Sequence, residues 1–287
     1  MSVVKMRKKE KKQINKKKII KITLNYVLLI ILALFFIFPF LWALSTSLKT
    51  ATDVLTWPPK WIPNPATLDA YKYVIENVPF PRYFLNSLII TALGIIFNVL
   101  FASLAAYPLA RLEFKGRNLI FFLILLPMMI PIQGGLIVNF ITILNLKLFN
   151  TYLAVVLPSA VSIFGIFIMR QNYLAIPRDL EDAARIDGCN EFQLWRKIMF
   201  PMVRPAATAL SIISFAGFWN AFLWPLIVLQ SQNKFPLQVG LSYLNNMFEQ
   251  NYRYITASLI IASIPILVFF FFTQRYFIEG YQGALKQ

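Results

Sequence analysis

All 28 basic and 12 acidic residues of this 287-residue chain fall outside six long apolar runs, at about 22–44, 85–108, 119–142, 151–169, 205–229 and 255–274. A hydrocarbon layer of about 30 Å takes roughly 20 apolar residues as a helix. Within it every backbone polar group must be bonded inside its own segment, so runs of this length without charge read as helical spans. The balance of the chain agrees: 58% of it is apolar and 14% charged, whereas soluble domains approach about 25% charged. The expected fold is all-α and transmembrane, with six spans. Several runs contain proline: Pro127 and Pro131 with Gly134-Gly135 in the third, Pro158 in the fourth, Pro225 in the fifth and Pro265 in the sixth. Each removes a helix hydrogen bond, so kinked or interrupted spans are expected where the freed carbonyl faces protein or a watery cavity.

Charge placement orients the chain. Residues 1–21 carry ten Lys or Arg against Glu10 alone, a basic segment suited to anionic headgroups. The run after it is too long for the core of a signal peptide, so 22–48 is read as an uncleaved first span. With the N-terminus inside, the inner segments (1–21, 109–118, 170–204 and the tail 275–287) hold 21 of the 28 basic residues, and the outer ones hold 7. This bias predicts both termini in the cytoplasm. The segment 49–84 is punctuated by Pro58, Pro59, Pro63, Pro65, Pro79 and Pro81 and by Trp57, Trp61, Tyr71, Tyr73 and Tyr83, so it is read as an outer loop with some short structure. The net charge of +16 would suggest nucleic acid on a folded surface. Here it is distributed as a membrane topology signal, and no nucleic acid is expected.

The chemistry available is narrow. With no histidine and one cysteine, Cys189, there is no imidazole base, no disulfide framework and no Cys/His zinc site. No glycine-rich phosphate cradle ending in Lys-Ser or Lys-Thr occurs. Mid-membrane acidic or basic groups, which ion-coupled carriers need, are missing from the six runs. The chain is therefore not expected to be an enzyme or to bind a cofactor or metal, and the alternatives are an ion-coupled carrier or a non-transporting scaffold.

The densest polar stretch between spans is 176–201. Pro177 suits a first helical position, Asp179, Glu181 and Asp182 suit a helix N-terminus, and Gly188 suits its C-cap. Asn190 with Gln193 forms a capping-box pair for a second helix, which carries Arg196 and Lys197 late and stops before Pro201. Leu180, Ala183 and Ala184 make a small apolar stripe that could admit another protein's backbone; Phe192, Trp195 and Met199 make a bulkier one.

In this stretch Asp182-Ala183-Ala184 is followed after three residues by Gly188, then after nine by Ile198-Met199-Phe200-Pro201. That spacing resembles the EAA signature of membrane subunits of bacterial ABC importers, with Asp182 where Glu is usual and Phe200 where Leu is usual. Further on, Phe218-Trp219-Asn220, Phe235-Pro236-Leu237-Gln238-Val239-Gly240-Leu241 and the tail from Gln274 to Lys286 resemble the carbohydrate-uptake branch, most closely the second permease of maltose and multiple-sugar importers. The resemblance implies a six-span type I permease fold in the bacterial cell membrane, with a core domain over 85–274. It implies a coupling helix at Leu180, Glu181, Asp182, Ala183, Ala184, Gly188 and Pro201 docked on an ATPase subunit, and tail contacts with the ATPases at Gly280, Gly283 and Lys286. The loop around 230–252 would face an extracytoplasmic solute-binding protein. The implied partners are a second permease in a hetero-pair, two ABC ATPase subunits that bind ATP and Mg, that binding protein, membrane lipid and a carbohydrate cargo. For the translocation path, Ser211, Ser214, Phe218 and Asn220 on the fifth span combine polar groups with an aromatic face, as a sugar ring would want.

Overall fold

The computed structural model describes residues 16–247 and 251–284. The α-helices in chain order are α1 (Lys16–Ser47), α2 (Asp69–Asn77), α3 (Phe80–Arg111), α4 (Arg117–Leu125), α5 (Leu136–Asn145), α6 (Tyr152–Val156), α7 (Ile163–Leu174), α8 (Asp179–Ile186), α9 (Glu191–Leu194), α10 (Phe200–Met202), α11 (Arg204–Trp219), α12 (Leu223–Val228), α13 (Leu237–Met247) and α14 (Tyr252–Ala284). No strand occurs among the described residues.

Three helices, Ile22–Ser47 within α1, α3 and Tyr252–Phe271 within α14, are singly long and apolar enough to cross a membrane. Six crossings result when each of three bent pairs is counted as one. The bends follow the sequence punctuation. Around Pro127 and Pro131 the helix turns by 95° between Arg117–Met129 and Gln133–Asn145. After Pro158 it turns by 52°, and Ser162 caps the resumed helix by accepting the Gly165 N–H at 2.9 Å. The fifth run is interrupted as well, as its proline leads one to expect. It ends as α11 at Trp219 and resumes at Leu223 as α12, because Pro225 and the break at 220–222 interrupt the ladder.

The long helix α3 is the axis of the bundle, packed by α7 on one side and α11 on another. Small residues permit the approach, as in membrane helix pairs generally. A Cβ on Gly165 of α7 would lie 2.9 Å from a Leu210 methyl of α11 and 3.1 Å from Ala102 of α3. A Cβ on Gly94 would lie 2.5 Å from the Phe218 ring. Toward the end of α3 that begins at Phe80, the core is Ile90, Phe215, Phe218, Trp219, Val228 and Leu237. Toward Arg111 it is Ala106, Tyr173, Leu194, Trp195, Met199 and Leu210. By contrast, α1 packs along α14, and none of its apolar window is buried.

The segment expected as a loop around 230–252 contains α13, which is clamped to the start of α3: Asn86 donates to the carbonyls of Asn233 and Phe235 at 2.9 Å each, and Ser87 accepts the Leu237 N–H at 2.8 Å. The segment 49–84, expected as an outer loop, carries α2 and a buried Lys49 whose ammonium lies 4.3 Å from the Trp42 ring centroid.

Candidate functional site

The paired helices beyond α7 form largely as their caps dictate. The acids Asp179, Glu181 and Asp182 fill the first turn of α8, where the positive end of the helix dipole favours them. Pro177 lies two residues ahead of the helix rather than at its first position, and Arg178 is the N-cap. Gly188 follows the Asp187 C-cap at φ +84°, a left-handed conformation that glycine adopts at no steric cost. The capping box is present: Asn190 Oδ1 accepts the Gln193 N–H at 2.9 Å, and Gln193 Oε1 accepts the Asn190 N–H at 3.1 Å. The second helix, expected to stop before Pro201, instead runs on. Trp195–Met199 is a π turn and α10 contains Pro201, so the chain reaches α11 through a 76° bend. A wide turn already lacks the i−4 bond that proline would break, which is why Pro201 is accommodated.

A chain of polar contacts fastens this unit to the bundle. Arg111, in the last turn of α3, donates through Nη2 to the carbonyls of Tyr173 and Ile176 just beyond α7. Its Nε lies 3.0 Å from Glu181 Oε1, an ion contact not aligned as a hydrogen bond. Both side chains are 3% exposed. Glu181 Oε2 is 3.4 Å from Arg185, which donates through Nε to Glu191 at 3.0 Å. The other Glu191 oxygen accepts the Tyr107 hydroxyl at 2.6 Å. Above them, Trp195 Nε1 donates to Ser103 Oγ at 3.0 Å, and that oxygen is 2.6 Å from the Tyr173 hydroxyl. A cleft of about 270 Å³ runs beside the charged part, lined by Arg111, Glu113, Arg178, Glu181, Asp182 and Arg185.

The electrostatics of the two glutamates are opposite. Burial pushes the Glu181 carboxyl above its ordinary 4.5, and Arg111 and Arg185 offset this only in part. Burial also acts on Glu191, but hydrogen bonds from Tyr107 and Arg185 outweigh it and hold that carboxyl below 4.5.

The expected coupling residues therefore divide between two faces. Leu180, Asp182 and Ala183 point outward together with Ile186, which is 87% exposed. Glu181 and Ala184 point inward, so Glu181 is a partner of Arg111 and not part of the open face, and the Leu180/Ala183/Ala184 stripe is split. Likewise Phe192 is exposed while Trp195 and Met199 are buried. Gly280 and Gly283 lie on the last turns of α14, and Lys286 lies outside the described residues. Of the residues expected along the path, Ser211 donates to the Ala207 carbonyl at 2.8 Å and Asn220 to the Ala216 carbonyl at 2.9 Å. Phe218 and Ser214 are buried in α11, Phe218 against Gly94. Ser214 and Phe218 are thus packed within the bundle while Asn220 is exposed, and the four do not converge on one cavity. Sequence reasoning passed over Arg111, Tyr107 and Tyr173; the available signal was a lone arginine at the very end of a charge-free run. Among the described residues, no group of three or more Cys, Asp or Glu could hold a metal ion.

Comparison with known proteins identifies the architecture. A family profile described as "Binding-protein-dependent transport system inner membrane component" matches residues 98–281. The arabinooligosaccharides transport system permease protein AraQ of Halalkalibacterium halodurans is 38% identical over 85% of this chain and 88% of its own length. The protein of the same name from Bacillus subtilis is 36% identical over 91% and 93%. The lactose transport system permease protein LacG of Rhizobium radiobacter is 33% identical over 91% and 95%. In fold, the chain is similar to a chain of a bacterial ABC transporter involved in the import of the acidic polysaccharide alginate, with a TM-score of 0.81 and 24% identity over 92% of this chain and 98% of that one. A profile match over well more than half of the chain, joined by relatives above 30% identity that it covers nearly end to end, makes this chain a member of the binding-protein-dependent transport system inner membrane components, a membrane permease of the ABC importer type.

Proposed function

We propose that this chain is the permease of an ATP-driven importer whose cargo is a carbohydrate, an oligosaccharide of neutral sugars before others. The relatives named for arabinooligosaccharides and lactose support the cargo class. A second six-span permease pairs with it, two ABC ATPase subunits bind ATP and Mg beneath, and an extracytoplasmic binding protein delivers the sugar. Both termini are cytoplasmic, as the distribution of basic residues supports. Gly280, Gly283 and Lys286 form the tail that reaches the ATPases.

The observation that carries this reading is the two-faced helix α8. Its outer face offers Leu180, Asp182, Ala183 and Ile186 exposed among the described residues, while its inner face is bolted to the ends of α3 and α7 through Glu181 and Arg111. An ATPase dimer closing on the outer face moves α8, and the buried ion pair passes that movement to the bundle axis. The bent spans then reopen toward the binding protein, which is alternating access by rigid-body motion.

The test is reconstitution in vesicles with arabinotriose as probe. Uptake is expected to require ATP, the ATPase, the sister permease and the loaded binding protein together. Gly188→Val, which forces a β-branched residue to φ +84°, is expected to abolish coupled uptake. Uptake by this chain alone, driven by an ion gradient, would overturn the reading.

A further inference from the structure

Polar side chains in this bundle generally find a partner. Ser211, Thr256 and Ser263 each donate to a carbonyl of their own helix at 2.7–2.8 Å, and Asn98 donates to the Ser159 carbonyl at 3.2 Å. This is what a low-dielectric interior demands, because a buried polar group without a partner is costly. Among the described residues a few buried polar atoms depart from the pattern, among them Thr91 Oγ1, Asn98 Oδ1, Trp219 Nε1 and Ser258 Oγ, and at Ser258 the exception coincides with a cleft that has further unpartnered polar side chains. A cleft of about 230 Å³ lies between the break before α12, the helix α13 and the first turns of α14. Three of its lining side chains, Gln238, Ser242 and Ser258, make no hydrogen bond with any described residue. Ser258 is the sharpest case: the residue is 1% exposed and its Oγ is buried and unpartnered. The rest of the lining is apolar, including Phe222, Ile255 and Leu259.

We infer that this cleft is a sugar-binding subsite, where one ring of the cargo is held by Gln238, Ser242 and Ser258 with Phe222 against its apolar face. The inference rests on the carbohydrate reading above. Gln238 supplies two donors and an acceptor, and each serine supplies both functions. That mixture matches the hydroxyl-bearing edge of a pyranose or furanose, and the apolar lining matches its C–H faces. At about 30 Å³ of liquid volume per water, the cleft has room for roughly eight waters, which is the scale of one ring and not of a whole oligosaccharide. A lipid chain would leave all three polar groups unsatisfied. The location suits a station on the route: the α13 side of the cleft is anchored to the start of α3 through Gly240 and Tyr83, at the opposite end of that helix from Arg111 and α8.

The experiment uses the complete transporter in vesicles with its binding protein, offered arabinotriose, lactose and diacetylchitobiose in turn. Ser258→Ala and Gln238→Ala remove groups that hydrogen-bond to no described residue, so folding is expected to be unchanged. With a sugar that the unmodified transporter carries, each variant is expected to lower uptake at saturating loaded binding protein about three- to tenfold, the effect of one lost hydrogen bond. The ATP hydrolysis elicited by the binding protein is expected to stay within about twofold of the unmodified rate, so that less sugar moves per ATP. Unchanged uptake in both variants overturns the subsite and leaves the transport function standing. Parallel loss of uptake and ATP hydrolysis would make these residues structural and also overturns it. If the unmodified transporter carries none of the three sugars, the carbohydrate reading fails first and the subsite fails with it.

Discussion

Replacing Arg111 by Met should unfasten the unit α8–α10 from the bundle, and the structure sets the scale of the effect. The substitution leaves the Glu181 carboxylate 3% exposed, with only Arg185 at 3.4 Å to balance it. Stranding one member of a buried ion pair costs about 3–5 kcal/mol. It also removes the donor to the carbonyls of Tyr173 and Ile176, which adds about 1–3 kcal/mol if they stay dry. Replacing both partners, Arg111→Met with Glu181→Leu, deletes the stranded charge and leaves only the two carbonyls unmet. The double variant should therefore recover most of the first figure, about 2–4 kcal/mol, over the single Arg111 variant. Thermal unfolding of the purified, assembled transporter reads this as a higher midpoint for the double variant. Uptake separates fastening from stability, because the double variant should hydrolyse ATP yet move little sugar per ATP. A double variant no more stable than Arg111→Met alone would refute the claim that these two side chains act as a pair.

Three further outcomes follow from the geometry and the electrostatics. In the pH window from 4.5 up to the raised Glu181 value, the folded chain holds a proton that the unfolded chain has lost, so this group's contribution to stability falls as pH rises; Glu181→Gln should flatten that slope. Glu191 acts in reverse: its contribution is full above 4.5 and is lost as pH falls toward its depressed folded value, so Glu191→Gln should reduce acid sensitivity below 4.5 in the same unfolding scans. Gly165→Ala, whose methyl would sit 2.9 Å from Leu210 and 3.1 Å from Ala102, should destabilise the contact between α3, α7 and α11 by about 1–3 kcal/mol, read as a lower melting midpoint with the secondary structure content unchanged.

Much of this was legible in the chain because the governing forces are local. Charge exclusion from the hydrocarbon marks each run, proline marks each break, and Asn190 with Gln193 or Gly188 states a cap within a few residues. What stayed hidden depends on distant partners. Nothing near Glu181 says that it faces inward while Asp182 faces out, because the deciding arginine lies 70 positions earlier, at the end of another helix. Pro225 marks that the fifth run is interrupted but not where, since the helix already stops at Trp219 and the break occupies 220–222. The helix α13 was missed because proline-punctuated polar segments read as loops, and only its clamp to Asn86 and Ser87 reveals why it is ordered. Nor could the sequence sort the residues picked for the path, since a serine that bonds its own helix and one left without a partner look alike in it.

The π turn at Trp195–Met199 fixes the length of the connector as firmly as its composition. It accommodates one residue more than an ordinary helical turn, so Trp195 can reach Ser103 while the chain still arrives at α11 in phase. A further residue inserted there, with no second bulge to absorb it, would swing all that follows by about 100°. Leu210 would then leave the core, and polar positions would enter it. The exposed Arg196 and Lys197 can vary freely, but the connector cannot gain a residue.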